Sequence, residues 1–119
     1  MTTELSRLQR ERDIVRDKFP PGTTLETIDG VHGWLYGFKS EFGDDYTMFV
    51  FWDGTLYKVK MVYPDPREVM DAHTSHYFEN GVICLRSGIG FARLDHAFAT
   101  SVSFANGWSV RAETGRFPW

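Results

Sequence analysis

The segment Tyr46–Trp52 (YTMFVFW) constrains this chain more than any other. It is apolar at successive positions, so both of its faces must be covered, which predicts a central strand. Asp53-Gly54 follows at once, and that dipeptide favours a two-residue hairpin turn. Thr55–Tyr63 then alternates cleanly, with Tyr57, Val59, Met61 and Tyr63 on one side and Lys58 and Lys60 on the other. Upstream, Thr24–Ile28 and Gly33–Lys39 supply two more strands. The expectation is a four-stranded antiparallel meander.

Helices flank it. Residues 3–18 predict an amphipathic helix capped by Thr2 or Thr3, with Glu4 in the first turn, where an acid suits the helix dipole. Leu5, Leu8, Val15 and Phe19 form its apolar stripe, and Pro20-Pro21-Gly22 stops it. Tyr63-Pro64-Asp65-Pro66 ends the sheet. Residues 67–93 read as irregular, with a short apolar stretch Val82-Ile83-Cys84-Leu85. Leu94, Ala97, Phe98, Val102 and Ala105 recur at helical spacing, Asp95 offers an N-cap, and Asn106-Gly107 predicts the stop. The order helix, meander, long loop, helix is that of an α+β domain with helices on one side of a sheet.

The chain has 119 residues, of which 42% are hydrophobic, 24% charged and 16% aromatic. That is one domain, residues 1–119, with enough apolar surface to form a core without disulfides or structural metal. No run reaches the ~18 apolar residues of a membrane span. The N-terminal MTTELSRLQRERD has no apolar core, so no signal peptide is expected. A single cysteine forms no internal disulfide, which points to the cytoplasm. A formal charge of −3 argues against a general nucleic-acid binder.

Cys84 is the sole thiol. A lone Cys between apolar neighbours is most often a small buried hydrophobe. Its surroundings, however, carry a resemblance. A meander closing on Tyr63-Pro64-Asp65-Pro66, then a His-containing polar loop, then Gly81-Val82-Ile83-Cys84-Leu85, resembles the ubiquitin-conjugating enzyme family. In that family a Tyr-Pro-x-x-Pro-Pro segment leaves the sheet, a His-Pro-Asn triplet follows, and the catalytic Cys lies in Gly-x-Ile-Cys-Leu. The resemblance spans roughly residues 3–105. His76 stands eight residues before Cys84, where the family has the Asn of its triplet, so that triplet reads Thr74-Ser75-His76 here. The family's Trp-x-Pro after the Cys is absent, and Phe91 stands near its place. The short stretch after Cys84 is similar to the compact prokaryotic members found in bacterial ubiquitin-like operons and in anti-phage cyclic-oligonucleotide (CBASS) operons.

The resemblance implies a UBC-like fold with a shortened C-terminal helical part, and acyl transfer in two steps. Cys84 as thiolate takes a protein C-terminus from an activated donor, and an amine then attacks the thioester. The tetrahedral oxyanion needs a donor aimed at it, worth ~3 kcal/mol. His76 is the candidate for that role, or for that of a base, or it braces the loop. The implied cargo is a ubiquitin-like protein or an operon nucleotide cyclase. A separate activating enzyme would spend the ATP, and no cofactor is implied for this chain. The tail Arg116-Phe117-Pro118-Trp119 lacks a modifier's terminal glycine, so the chain reads as carrier, not cargo. In the family the first helix docks the activating enzyme, which singles out Arg7, Arg10 and Arg12 as partner contacts. The plainer account is a solvated helix whose arginines pair with Glu4, Glu11, Asp13 and Asp17.

The same residues admit other readings. His73, His76 and Cys84 match no usual structural zinc spacing. A Cys–His hydrolase lacks a recognisable third residue. Tyr77 and Phe78 either line a peptide channel or pin the loop. Ser87, Gly88 and Gly90 either leave room for a peptide tail or form ordinary turns, and they lack the context of a phosphate cradle. A catalytically silent scaffold of the same fold, and an unrelated ligand-binding α+β domain with Cys84 in its core, are the alternatives to the enzyme.

Overall fold

A computed structural model describes residues 2–65, 78–79, 82–83 and 90–114. Helix α1 (Thr2–Lys18) leads into strands β1 (Thr24–Ile28), β2 (Val31–Lys39), β3 (Asp45–Trp52) and β4 (Tyr57–Tyr63). Two short strands follow, β5 (Phe78–Glu79) and β6 (Val82–Ile83), and helix α2 (Leu94–Thr114) ends the described chain. The strands form a six-stranded sheet in the order β1-β2-β3-β4-β6-β5, with every neighbouring pair antiparallel. The α+β expectation holds, and the meander β1–β4 lies where the alternation predicts it. The sheet is wider than the four strands expected, because part of the segment read as irregular adds β5 and β6 beyond β4.

Two Asp-Gly dipeptides behave differently. Asp29-Gly30 makes the tight turn: Ile28 pairs with Val31, and Asp29 and Gly30 have φ of 52° and 78°. Left-handed conformation at both central residues matches the twist of a two-residue hairpin. By local pattern that role falls to Asp53-Gly54 and β2 starts at Gly33; in the structure Asp29-Gly30 takes the tight turn and β2 starts at Val31. Trp52 pairs with Tyr57, so the β3–β4 loop holds Asp53 to Leu56. Asp53 Oδ1 accepts from the backbone N–H of Thr55 and of Leu56, each at 2.8 Å, while the Asp53 N–H donates to the Leu56 carbonyl at 3.0 Å. A carboxylate that organises its own loop in this way competes with the tighter turn.

The core lies between one sheet face and the helices. Trp34, Tyr36, Met48, Val50, Val59 and Met61 face inward and are buried, as is Ile83 of β6. From α2, Leu94, Ala97, Ser101, Phe104, Ala105 and Trp108 are buried, a spacing that puts them on one helical face. Phe19, just past α1, wedges between sheet and helix, with its ring centroid 5.0 Å from Tyr36 and 4.5 Å from Phe98. On the opposite face Phe49 is also buried and stacks with Phe51 at 5.9 Å. Its ring needs the missing side chain of Gly33: a Cβ there would lie 2.7 Å from Phe49 Cζ and against the Val50 carbonyl.

Helix α2 does not stop at Asn106-Gly107 but runs to Thr114. Helix propensity at one glycine costs ~1 kcal/mol, less than the packing gained beyond it. Trp108 is buried, and the buried Ser109 hydroxyl bonds Tyr46 Oη at 2.8 Å and Ser40 Oγ at 2.9 Å. Ser101 does the same upstream, with Tyr36 Oη at 2.7 Å. Asn106 Oδ1 accepts the Glu41 N–H at 2.8 Å, tying the β2–β3 connection to the helix. Asp95 lies in the first turn of α2 rather than at its cap, where it still opposes the helix dipole favourably. In α1, Leu5 is 60% exposed, so the buried face runs through Leu8, Glu11, Val15 and Phe19 instead.

Candidate functional site

The buried face of α1 carries a carboxylate in its middle. Glu11 is 6% exposed, and a carboxylate so buried must be paired and hydrogen-bonded. Its Oε1 accepts from Trp34 Nε1 on β2 at 2.9 Å. Its Oε2 accepts from Tyr57 Oη on β4 at 2.8 Å and from Arg7 Nε, one turn earlier on α1, at 3.1 Å. One side chain thus ties α1 to two strands. Burial, with the Glu11 carboxylate as second cause, holds the Tyr57 phenol well above its usual range. The Arg7 guanidinium also lies 5.9 Å from the Trp52 ring centroid, a cation–π distance.

Two clefts meet at this cluster. The larger, about 460 Å³, runs between α1, the β3–β4 loop and the start of α2, beside Arg10, Tyr57 and Arg93. The smaller, about 250 Å³, lies between α1 and the sheet beside Leu8, Leu25 and His32. Arg7, Glu11, Trp52 and Tyr57 border both. Tyr57 also joins this corner to the chain leading into α2: its backbone exchanges hydrogen bonds of 2.7 and 2.8 Å with Phe91. The loop that shapes the larger cleft is fixed by Asp53. Its hydrogen bonds from the Leu56 and Thr55 backbone, together with Lys58 Nζ at 2.8 Å, hold its carboxyl well below the usual range.

Cys84 and His76, the expected nucleophile and its partner, lie outside the described residues, as do His73, Tyr77, Ser87 and Gly88. The residues on either side of the cysteine segment are described. Ile83 is buried in the core at the end of β6, and Val82 pairs with Lys60 of the central hairpin. Gly90 packs on the β3–β4 loop, where a Cβ would come within 2.8 Å of Leu56 Cδ1. Phe78 supplies backbone to β5. Among the described residues, no group of three or more His, Cys, Asp or Glu side chains could hold a metal. No helix among them is long and apolar enough to cross a membrane.

The three arginines singled out on α1 do not share a face. Arg7 and Arg10 border the larger cleft, whereas Arg12 borders a separate groove with Gln9, Leu25 and Trp34. Glu11, Trp34, Trp52 and Tyr57 were not anticipated as a cluster. A signal for Glu11 was present: it stands at helical spacing between Leu8 and Val15, on the apolar stripe. A charge in that position is either solvent-exposed by a kink or paired inside, and the partners were invisible because they come from strands far along the chain. Comparison of the chain with protein-family profiles, with curated proteins and with solved structures gives no match.

Proposed function

We propose that this chain is a ubiquitin-conjugating-like acyl carrier with Cys84 as its nucleophile. The observation that carries the reading is Gly81-Val82-Ile83-Cys84-Leu85 in its position after an antiparallel meander and a His-containing loop. The described order of helix, antiparallel sheet and helix supports it. In the first step the Cys84 thiol loses its proton and the sulfur adds to the activated carbonyl of a donor C-terminus. The donor's leaving group departs and a thioester remains. In the second step an acceptor amine attacks that carbonyl, the C–S bond breaks, the amine's proton leaves, and an amide forms. A thiolate suits both steps because it attacks well and leaves well. His76 stabilises the oxyanion by an N–H or takes the amine's proton.

The cargo in this reading is a ubiquitin-like protein or a nucleotide cyclase of an anti-phage system. A separate activating enzyme docks on α1 through Arg7, Arg10 and Arg12, and the chain works in the cytoplasm without cofactor. The test is co-expression with the neighbouring genes, followed by non-reducing electrophoresis. The expected result is an adduct that thiols release, that Cys84→Ala abolishes and that Cys84→Ser converts to a thiol-resistant ester. An adduct that survives Cys84→Ala overturns the reading. The replacement of the family's His-Pro-Asn by Thr74-Ser75-His76 favours a second reading, a silent scaffold. In that case Cys84→Ala leaves biological activity intact.

A further inference from the structure

The larger cleft beside α1 has features of a ligand site in its own right. Its volume of about 460 Å³ falls within the ~300–1,000 Å³ of small-molecule pockets. Trp52, Tyr57 and Ile14 supply apolar wall, and Arg7, Arg10 and Arg93 supply charge. The charges are not equivalent. Arg7 Nε donates to Glu11 at 3.1 Å, and Arg93 donates to Asp95 through Nε at 3.1 Å and through Nη2 at 2.8 Å. Glu11 and Asp95, the acids that border the cleft, are thereby matched. Arg10 is exposed and has no hydrogen bond or ion pair among the described residues. The cleft keeps one uncompensated guanidinium next to two aromatic rings, whose centroids are 4.9 Å apart at an interplanar angle of 59°. A guanidinium offers paired donors suited to a carboxylate or phosphate, and the rings offer flat apolar surface.

We infer that this cleft binds a small anion with a flat ring, its one carboxylate or phosphate held by Arg10 and its ring against Trp52 and Tyr57. The site goes beyond the acyl-carrier reading and does not depend on Cys84. Its test uses the full chain, isotopically labelled, with NMR signals followed as probes are added. The ring anions are indole-3-acetate and 3-indoxyl phosphate, which carry the same ring and differ in the anionic group. The controls are tryptamine, a similar ring with a cation, and inorganic phosphate, an anion without a ring. Either ring anion is expected to move the Trp52 indole N–H and the Ala92 and Arg93 amides at concentrations where both controls leave them still, and the tighter of the two names the anionic group. Arg10→Gln is expected to weaken that binding about tenfold or more, the loss of one charge-assisted hydrogen bond. Lys18→Gln, which removes the same charge from the far end of α1, leaves it unchanged. The inference is overturned if neither ring anion moves those signals at ~10 mM, far into the weak-binding range. It is equally overturned if tryptamine binds as well, or if Arg10→Gln behaves like Lys18→Gln.

Discussion

Replacing Glu11 by Ala removes an acceptor shared by Trp34 Nε1, Tyr57 Oη and Arg7 Nε at 2.9, 2.8 and 3.1 Å. Trp34 and Tyr57 are 6% and 8% exposed, so their donors have little bulk water to turn to. Each buried donor left unpaired costs ~1–3 kcal/mol. The Arg7 side chain is 30% exposed and rehydrates, so it adds little. The two donors together set a range of ~2–6 kcal/mol. The adjoining clefts let water into the vacated space, which places the expectation at ~2–3 kcal/mol, a large part of the ~5–15 kcal/mol of a whole domain. Urea unfolding at pH 7 reads this as a fall in midpoint of more than ~1 M, given a slope of ~1–2 kcal/mol per M. A double-mutant cycle tests the cause. Tyr57→Phe alone costs ~1 kcal/mol or more, but in the Glu11→Ala background it removes a donor that is already unsatisfied and costs nothing. A cost for Glu11→Ala under ~1 kcal/mol, or additive effects of the two substitutions, would refute the reasoning.

Three further outcomes are expected. Gly33→Ala sets a methyl against the Phe49 ring and the Val50 carbonyl, and should destabilise by ~2–3 kcal/mol because one obstacle is backbone; calorimetry or urea melts measure it. Asp53 has a folded-state pKa held below its unfolded value by the Leu56 and Thr55 N–H groups and Lys58. Its contribution is therefore complete above pH ~4 and lost as the pH falls further, so stability from pH 5 downward should fall less steeply in Asp53→Asn than in the parent. The Tyr57 phenol is shifted upward by burial and Glu11. Its contribution is complete below pH ~10 and lost as the pH rises through the folded value, so Tyr57→Phe should flatten the alkaline arm of the stability profile.

Much of this architecture was legible because it rests on short-range pattern. Period-two alternation in Tyr57–Met61 and the apolar run at Tyr46–Trp52 gave β3 and β4 to within two residues. Pro20-Pro21 bounded α1, and the recurrence Leu94, Ala97, Ala105 gave the start of α2. The expected nucleophile Cys84 rests on motif alone, since its segment lies outside the described residues.

The tertiary structure decided what depends on partners distant in sequence. The two Asp-Gly dipeptides are identical as local signals, yet only Asp29-Gly30 closes a two-residue turn, because Asp53 bonds the backbone of Thr55 and Leu56 and pairs with Lys58. Asn106-Gly107 is a stop signal by propensity, but Trp108 and Ser109 find a buried site against the sheet and the helix continues. Glu11 reads as one acid on a mixed helix until Trp34 and Tyr57 are brought to it from two strands. Local propensities are worth about 1 kcal/mol per residue. Burying an aromatic side chain outweighs that, so wherever packing and pattern disagreed in this chain, packing prevailed.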